Sequence, residues 1–132
     1  MPNKLTCRAY VHTLGWQPYV EESEVCGTTG KGLYIEALQF QYDGEDVFKY
    51  NIRNQEIGWM GTYSLGEIAG TLEKNSPLNG LKCSFLSGSK HIYYEGHFSY
   101  EGWIKPVQDG ELLQPQNNKH WLEAIRFYTE EN

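Results

Sequence analysis

Cations are scarce in this chain of 132 residues: 11 Lys and Arg stand against 17 Asp and Glu, for a formal net charge of −6. A phosphate backbone is bound through a basic stripe, so this deficit argues against a nucleic-acid partner. No apolar run reaches the roughly 18 residues of a membrane span, and membrane insertion is not expected. The opening "MPNKLTCRAY" lacks the apolar core of a signal peptide, so the chain is expected either to be cytoplasmic or to have lost a leader. Long helix-forming stretches are missing. So are G-x-S-x-G, P-loop and G-x-G-x-x-G motifs, and no nucleophile has an evident base. No catalytic residue and no cofactor is therefore assigned. His12, His91, His97 and His120 lack the spacing of a metal-binding helix, and three cysteines without a spacing motif speak against zinc, so no metal ligand is assigned.

Aromatic rings and glycine are plentiful: four Trp, ten Tyr, five Phe and 14 Gly. With short apolar runs, this composition points to one all-β domain with many turns. It is also periodic. Trp16, Trp59 and Trp103 lie 43 and 44 residues apart, preceded by Gly15, Gly58 and Gly102. Eight residues beyond each Trp stands a glutamate: Glu24, Glu67 and Glu111. The pairs Val25-Cys26, Ile68-Ala69 and Leu112-Leu113 follow; Gly27-Thr28 then matches Gly70-Thr71, where the third copy reads Gln114-Pro115. "YIEALQF" in the first copy matches "WLEAIRF" in the third, and the second is expected to reach "GLKCSFL" after about three extra residues. A period of this length marks a repeat architecture, with units of about 7–48, 49–91 and 92–132.

Each unit is expected to supply about four short strands. "WIKPVQDGELL" reads as strand, Asp-Gly turn, strand. "GLYIEALQFQ" reads as a strand with Tyr34, Glu36, Leu38 and Phe40 on one face and Ile35 and Ala37 on the other. Both faces are partly apolar, which suits a central strand. A hairpin precedes each Trp. No unit can bury both its faces alone, so a pseudo-threefold β-prism-like arrangement with one sheet per repeat is expected, with a β-trefoil as the alternative. An open solenoid is disfavoured because the end copies have no polar cap.

The phrase "GW…GE.AGT…L.LEA" resembles the clostridial hydrophobic repeat with a central tryptophan, ChW, in three copies from about Tyr10 to Phe127. The first copy is the nearest match, through "VHTLGWQPYV", "CGTTGKGL" and "IEALQF"; the second has "LKC" for "LEA" and the third "LQP" for "AGT". The resemblance implies a secreted or cell-surface bacterial protein that attaches to carbohydrate or to other proteins.

Trp16, Trp59 and Trp103 have two readings. They fill the core where three sheets meet, each removing about 200 Å² from water, or they offer flat faces to a pyranose. The core is the favoured reading, with the preceding glycine giving a bulge or a close approach to the indole. Glu24, Glu67 and Glu111 sit at turns, where a carboxylate accepts either sugar hydroxyls or backbone N–H groups. Glu36 and Glu123 share faces with apolar residues and are expected to be part-buried and paired. His12 has Gln55 and Ser99 at its repeat position, which suggests a polar rim beside each Trp. Cys26 takes the place of Ala69 and Leu113, and Cys83 that of Ala37 and Ala124, so free buried thiols are expected rather than a disulfide; Cys7 has no assigned place.

The candidate ligand-binding set is Glu24, Glu67, Glu111, His12, Gln55, Ser99, Trp16, Trp59 and Trp103. Paired carboxylates run glycoside hydrolysis, but a catalytic pair is needed once, whereas a repeated site favours avidity. The expected function is a non-catalytic, lectin-like carbohydrate-binding module with up to three related sites for glycans or glycoconjugates. A protein–protein interaction or adhesion module is the alternative, and homo-oligomer formation is left open.

Overall fold

Alternation fixes the first strand of every unit. In "LTCRAYV", Leu5, Cys7, Ala9 and Val11 turn inward while Thr6, Arg8 and Tyr10 face out; "FKYNIRN" and "KHIYYEGHF" repeat the scheme. The computed structural model describes residues 3–131 and is all-β, with no helix among those residues. Unit one contains β1 (Leu5–Val11), β2 (Gly15–Trp16), β3 (Cys26–Gly27) and β4 (Ile35–Tyr42). Unit two contains β5 (Phe48–Asn54), β6 (Gly58–Ser64), β7 (Ala69–Gly70) and β8 (Leu78–Phe85). Unit three contains β9 (Lys90–Phe98), β10 (Gly102–Trp103), β11 (Val107–Gln108) and β12 (Leu122–Glu131).

Each unit builds one antiparallel sheet around its long strands: β2-β1-β4, β6-β5-β8 and β10-β9-β12. The short segment after each turn glutamate crosses to a different unit's sheet. β7 of unit two pairs with β4 of unit one, β3 of unit one with β12 of unit three, and Leu113 of unit three bridges Leu81 of unit two. The exchange is cyclic. No unit's sheet is complete without another unit, and β4 is central between β1 and β7, as its two apolar faces required. Glycine makes the crossing close: a Cβ on Gly70 (φ 122°) would sit 2.3 Å from the Glu36 carbonyl oxygen, and one on Gly27 (φ 104°) 2.5 Å from that of Glu123. Unit three has Gln114 at this position and makes a single bridge instead of a two-residue strand.

Several expectations need correction here. Asp109 (φ 44°) and Gly110 (φ 85°) do form a tight turn, but "WIKPVQDGELL" is no hairpin: β11 stays on β9 while Leu113 leaves for unit two. The turn conformation was encoded locally; the partner of its second arm was not. The second copy has no three-residue insertion. Val11 pairs with Ile35, Asn54 with Leu78 and Phe98 with Leu122, so "LNGL" is the counterpart of "IEAL" and "LEAI". Asn79 therefore matches Glu36 and Glu123. Cys83 lies opposite Tyr50 as Phe40 lies opposite Cys7, so it matches Phe40 and Phe127 rather than alanines.

The three sheets meet on phenylalanine and tyrosine, not tryptophan. Phe40 of unit one lies 4.9 Å from Tyr50 and 5.3 Å from Phe48 of unit two, and 6.1 Å from Phe127 of unit three, ring centre to ring centre. Each such contact adds about 0.5–1.5 kcal/mol beyond area burial. None of the four tryptophans is among the buried residues.

Candidate functional site

β2, β6 and β10 each lay their tryptophan on the outer face of a sheet, and a cation covers the ring. Arg8 lies 4.2 Å from the Trp16 ring centre, Lys82 4.4 Å from Trp59 and Arg126 4.4 Å from Trp103. Partly desolvated cation–π contacts of this kind are worth about 0.5–2 kcal/mol. The core reading of these tryptophans is thereby overturned. Trp59 is 37% exposed, and Gly15, Gly58 and Gly102 serve the preceding turn through φ of 79°, 95° and 74°, with nothing closer than 3.9 Å to an added Cβ.

Beside each Trp, six residues before it in sequence, stands Tyr10, Arg53 or His97. Tyr10 meets Trp16 edge-on at 5.4 Å, and His97 meets Trp103 edge-on at the same distance. Immediately opposite, the long strand bulges. Tyr10 pairs with Ala37 and Val11 with Ile35, which leaves Glu36 unpaired; Asn79 and Glu123 are left out in the same way. A bulge re-aims its extra side chain. It also breaks the expected alternation, so Ile35 joins Leu38 and Phe40 in the core while Glu36 turns to the cleft between units.

In unit one this carboxylate is only 2% exposed. His12 Nδ1 lies 3.0 Å from Glu36 Oε2, and the Asn75 N–H of unit two donates to Oε1 at 3.2 Å. The His12 ring stacks on Tyr34 at 4.4 Å. Tyr10, His12, Glu36, Glu73 and Asn75 line a cleft of about 390 Å³. The Tyr10 phenol is held above its ordinary pKa by desolvation first, then by the Glu73 and Glu36 charges. In unit three His97 Nδ1 lies 2.9 Å from Glu123 Oε1, and Trp121 Nε1 donates to Oε2 at 3.3 Å. The expectation that Glu36 and Glu123 are buried and paired holds.

Unit two is built differently. Arg53 Nε donates to Asn79 Oδ1 at 2.8 Å, and its other nitrogens reach Gln114 Oε1 at 3.0 Å and Asn118 Oδ1 at 3.4 Å. Asn79 Nδ2 and Gln55 Nε2 donate to the Asn118 and Lys119 carbonyls, both at 2.8 Å. Side chains of the protein itself thus span the space between units two and three.

The remaining candidate residues fall elsewhere. Glu24, Glu67 and Glu111 are exposed, and each clamps its own turn: Oε1 accepts the N–H three residues back, from Glu21 at 2.7 Å, Ser64 at 2.5 Å and Gln108 at 2.8 Å. The Glu67 turn docks through Gly66 N–H on the Phe40 carbonyl, whereas His12 docks on that of Tyr34. Six residues from Tyr34, just before β4, to Phe40 within it separate the two, roughly 20 Å at 3.3 Å per residue. The turn glutamates and the His12, Gln55 and Ser99 positions therefore do not form one site. Gln55 and Ser99 bond to the backbone at the strand ends rather than rimming the Trp. A hollow of about 650 Å³ opens at the far end of the strands, where Lys4 pairs with Glu21 and Lys90 with Glu131. Among the described residues no group of three or more His, Cys, Asp or Glu is placed to hold a metal, and no helix is long and apolar enough to cross a membrane.

The residues that sequence reasoning left out of the site are Glu36 and Glu123, read there as structurally paired, and with them Tyr10, Arg53, His97 and Asn79. Two constant offsets from Trp, minus six and plus twenty, were the available signal.

Residues 10–44 match the family model described as Clostridial hydrophobic W, ChW. The similarity covers this segment, about a quarter of the chain. No curated protein and no solved structure matches the chain significantly. The ChW segment contains Tyr10, His12, Trp16 and Glu36, which is the unit-one cluster except for the Glu73 and Asn75 supplied by unit two.

Proposed function

We propose that this chain is a non-catalytic carbohydrate-binding module that holds neutral glycans in the cleft beside Glu36 and, by the likeness of its buried carboxylate and imidazole, at Glu123, and so attaches to glycoconjugates at a secreted or cell-surface location. The reading is carried by one observation: a buried carboxylate, oriented by His12 and a backbone N–H, lines an open cleft together with the Tyr10 ring. Sugars are recognised by that combination, because a carboxylate accepts strong hydrogen bonds from hydroxyls while an aromatic ring covers the C–H face. Glu36 and Glu73 give the cleft negative charge, which disfavours uronic acids and sulfated sugars. Arg53 and Asn79 occupy the equivalent space in unit two, so two sites work rather than three. Each binds weakly on its own, and the pair gains from a multivalent surface.

A protein-interaction or adhesion module is the second reading. It is favoured by Leu14, Ile57 and Tyr100, exposed side chains on the three hairpin tips beside the clefts. A glycan array separates the two. Glu36→Gln with Glu123→Gln should abolish retention on neutral glycans while the melting curve stays cooperative. Absence of any glycan signal from the folded wild-type chain would reject the carbohydrate reading.

A further inference from the structure

Cys7 Sγ and Cys26 Sγ lie 3.5 Å apart, and both residues are buried at the junction of β1 and β3. Comparison of the units gives this contact its meaning. Cys7 faces Phe40 as Tyr50 faces Cys83 and Tyr94 faces Phe127, so Cys7 stands where the other units have tyrosine. Both tyrosine hydroxyls donate to the carbonyl of the unit's turn glutamate, Tyr50 to Glu67 and Tyr94 to Glu111. Those bonds tie the first strand of a unit to the segment it sends across to another sheet. Unit one has no tyrosine there and lacks that hydroxyl tie. At the neighbouring position, ten residues after Trp, it has Cys26 where the others have Ala69 and Leu113. The two changes occur together, in one unit, at side chains in contact.

We propose that Cys7 and Cys26 are joined by a disulfide when the chain folds in an oxidising environment, and that this bond replaces the tyrosine tether of the other two units. Forming it requires the sulfurs to approach from 3.5 Å to about 2.05 Å, a movement that two side chains share. The chemistry is thiol–disulfide exchange with a small or protein disulfide as oxidant. One cysteine thiolate attacks that disulfide and releases one thiol; the second cysteine attacks the mixed disulfide and releases the other. Two electrons pass to the oxidant, and the two cysteine protons end on its thiols. Burial, and then the Cys26 hydrogen bond, hold the Cys7 thiol well above its ordinary pKa. The finished core therefore shields it, and exchange belongs to the folding chain, before β3 is locked against β12. Such a bond persists outside reducing compartments. It departs from the expectation of three free thiols, which the repeat alignment had favoured.

The test is refolding of the full chain from denaturant in oxidised and reduced glutathione, followed by alkylation, mass measurement and peptide mapping. The expected product is lighter by two hydrogens, has Cys7 joined to Cys26, leaves Cys83 alkylated, and melts roughly 5–10 °C above the reduced form. Cys26→Ala, which copies unit two, should form no cross-link, and its melting point should ignore reductant. Three alkylated cysteines in the refolded wild-type protein, or a bond to Cys83, would overturn the proposal. The wild-type mapping decides this even if the variant does not fold, and the result is independent of glycan binding.

Discussion

Arg53 Nε stands 2.8 Å from Asn79 Oδ1, at the bulge where units one and three hold an imidazole and a carboxylate. The three bulges are the same backbone device filled with different chemistry. Even the imidazole arrives by two routes: His12 lies four residues before its Trp, His97 six. In unit two a guanidinium and an amide tie the 114–119 loop to the sheet, and stability there replaces an open cleft.

Asn79→Ala should therefore destabilise the chain without touching recognition. It removes an acceptor for Arg53 and a donor to Asn118, and a loss of about 1–3 kcal/mol is expected from hydrogen bonds at a buried position. Urea denaturation measures the loss, and glycan-array intensity should equal that of the wild type. Weakened glycan binding by a folded Asn79→Ala protein would mean that unit two carries a working site.

The tryptophans give the second prediction. Trp59 lies on the outer face under Lys82 and is 37% exposed, so Trp59→Ala should cost about 1–2 kcal/mol, less than a large-to-small aromatic change in a core. Phe40→Ala, which empties the point where all three units meet, should cost about 3–5 kcal/mol. Denaturation of the two variants side by side checks the order. Equal losses would return tryptophan to the core.

The composition of the sequence was enough for the all-β class, and its periodicity pointed to the three sheets that the fold contains. The compositional signal was plentiful aromatic rings and glycine with short apolar runs. The cyclic exchange was not legible, because a two-residue strand such as Ala69–Gly70 carries no alternation of its own and its partner lies in another unit. The bulge was hidden for a related reason. A regular strand reading puts Glu36 in line with Leu38, and only the pairing of Val11 with Ile35 and Tyr10 with Ala37 reveals the extra residue. In unit two, following the sound of "LKC" after "LEA" moved the match three residues away from Asn79, although the distance from Trp was constant.

Alkaline pH supplies a third prediction. Burial pushes the Tyr50 phenol up to about 12 from its ordinary 10.0, and Tyr94 is raised further by the same cause. Each hydroxyl is a donor to a turn carbonyl and must stay protonated in the fold. An acid whose folded pKa lies above its unfolded value contributes stability that is whole below pH 10 and is lost as pH rises through about 12. The unfolding free energy from urea titration should hold up to pH 10 and then fall by about 1 kcal/mol per pH unit or more. Tyr50→Phe with Tyr94→Phe should start from a lower stability and show a shallower alkaline slope. An unchanged slope would remove these phenols as the cause.

The turn glutamates make the sharpest division between the two possible places for the ligand. Their carboxylates each accept a backbone N–H within their own turn, and the Glu67 turn docks at Phe40, four residues or roughly 13 Å along β4 from Glu36. Changing Glu24, Glu67 and Glu111 together to Gln keeps one acceptor oxygen per turn but removes the charge that strengthens the bond. A loss of about 0.5–1 kcal/mol per turn is expected, visible as a lower melting temperature. Retention on a neutral glycan surface should be unaltered, because no cleft residue has changed. The double change of Glu36 and Glu123 to Gln should give the opposite result, lost retention with little thermal shift, since Gln still offers an oxygen to the Asn75 N–H. If the triple variant stays folded and loses the glycan while the double variant keeps it, recognition belongs to the exposed turns, and the bulged carboxylates serve only to hold the units together.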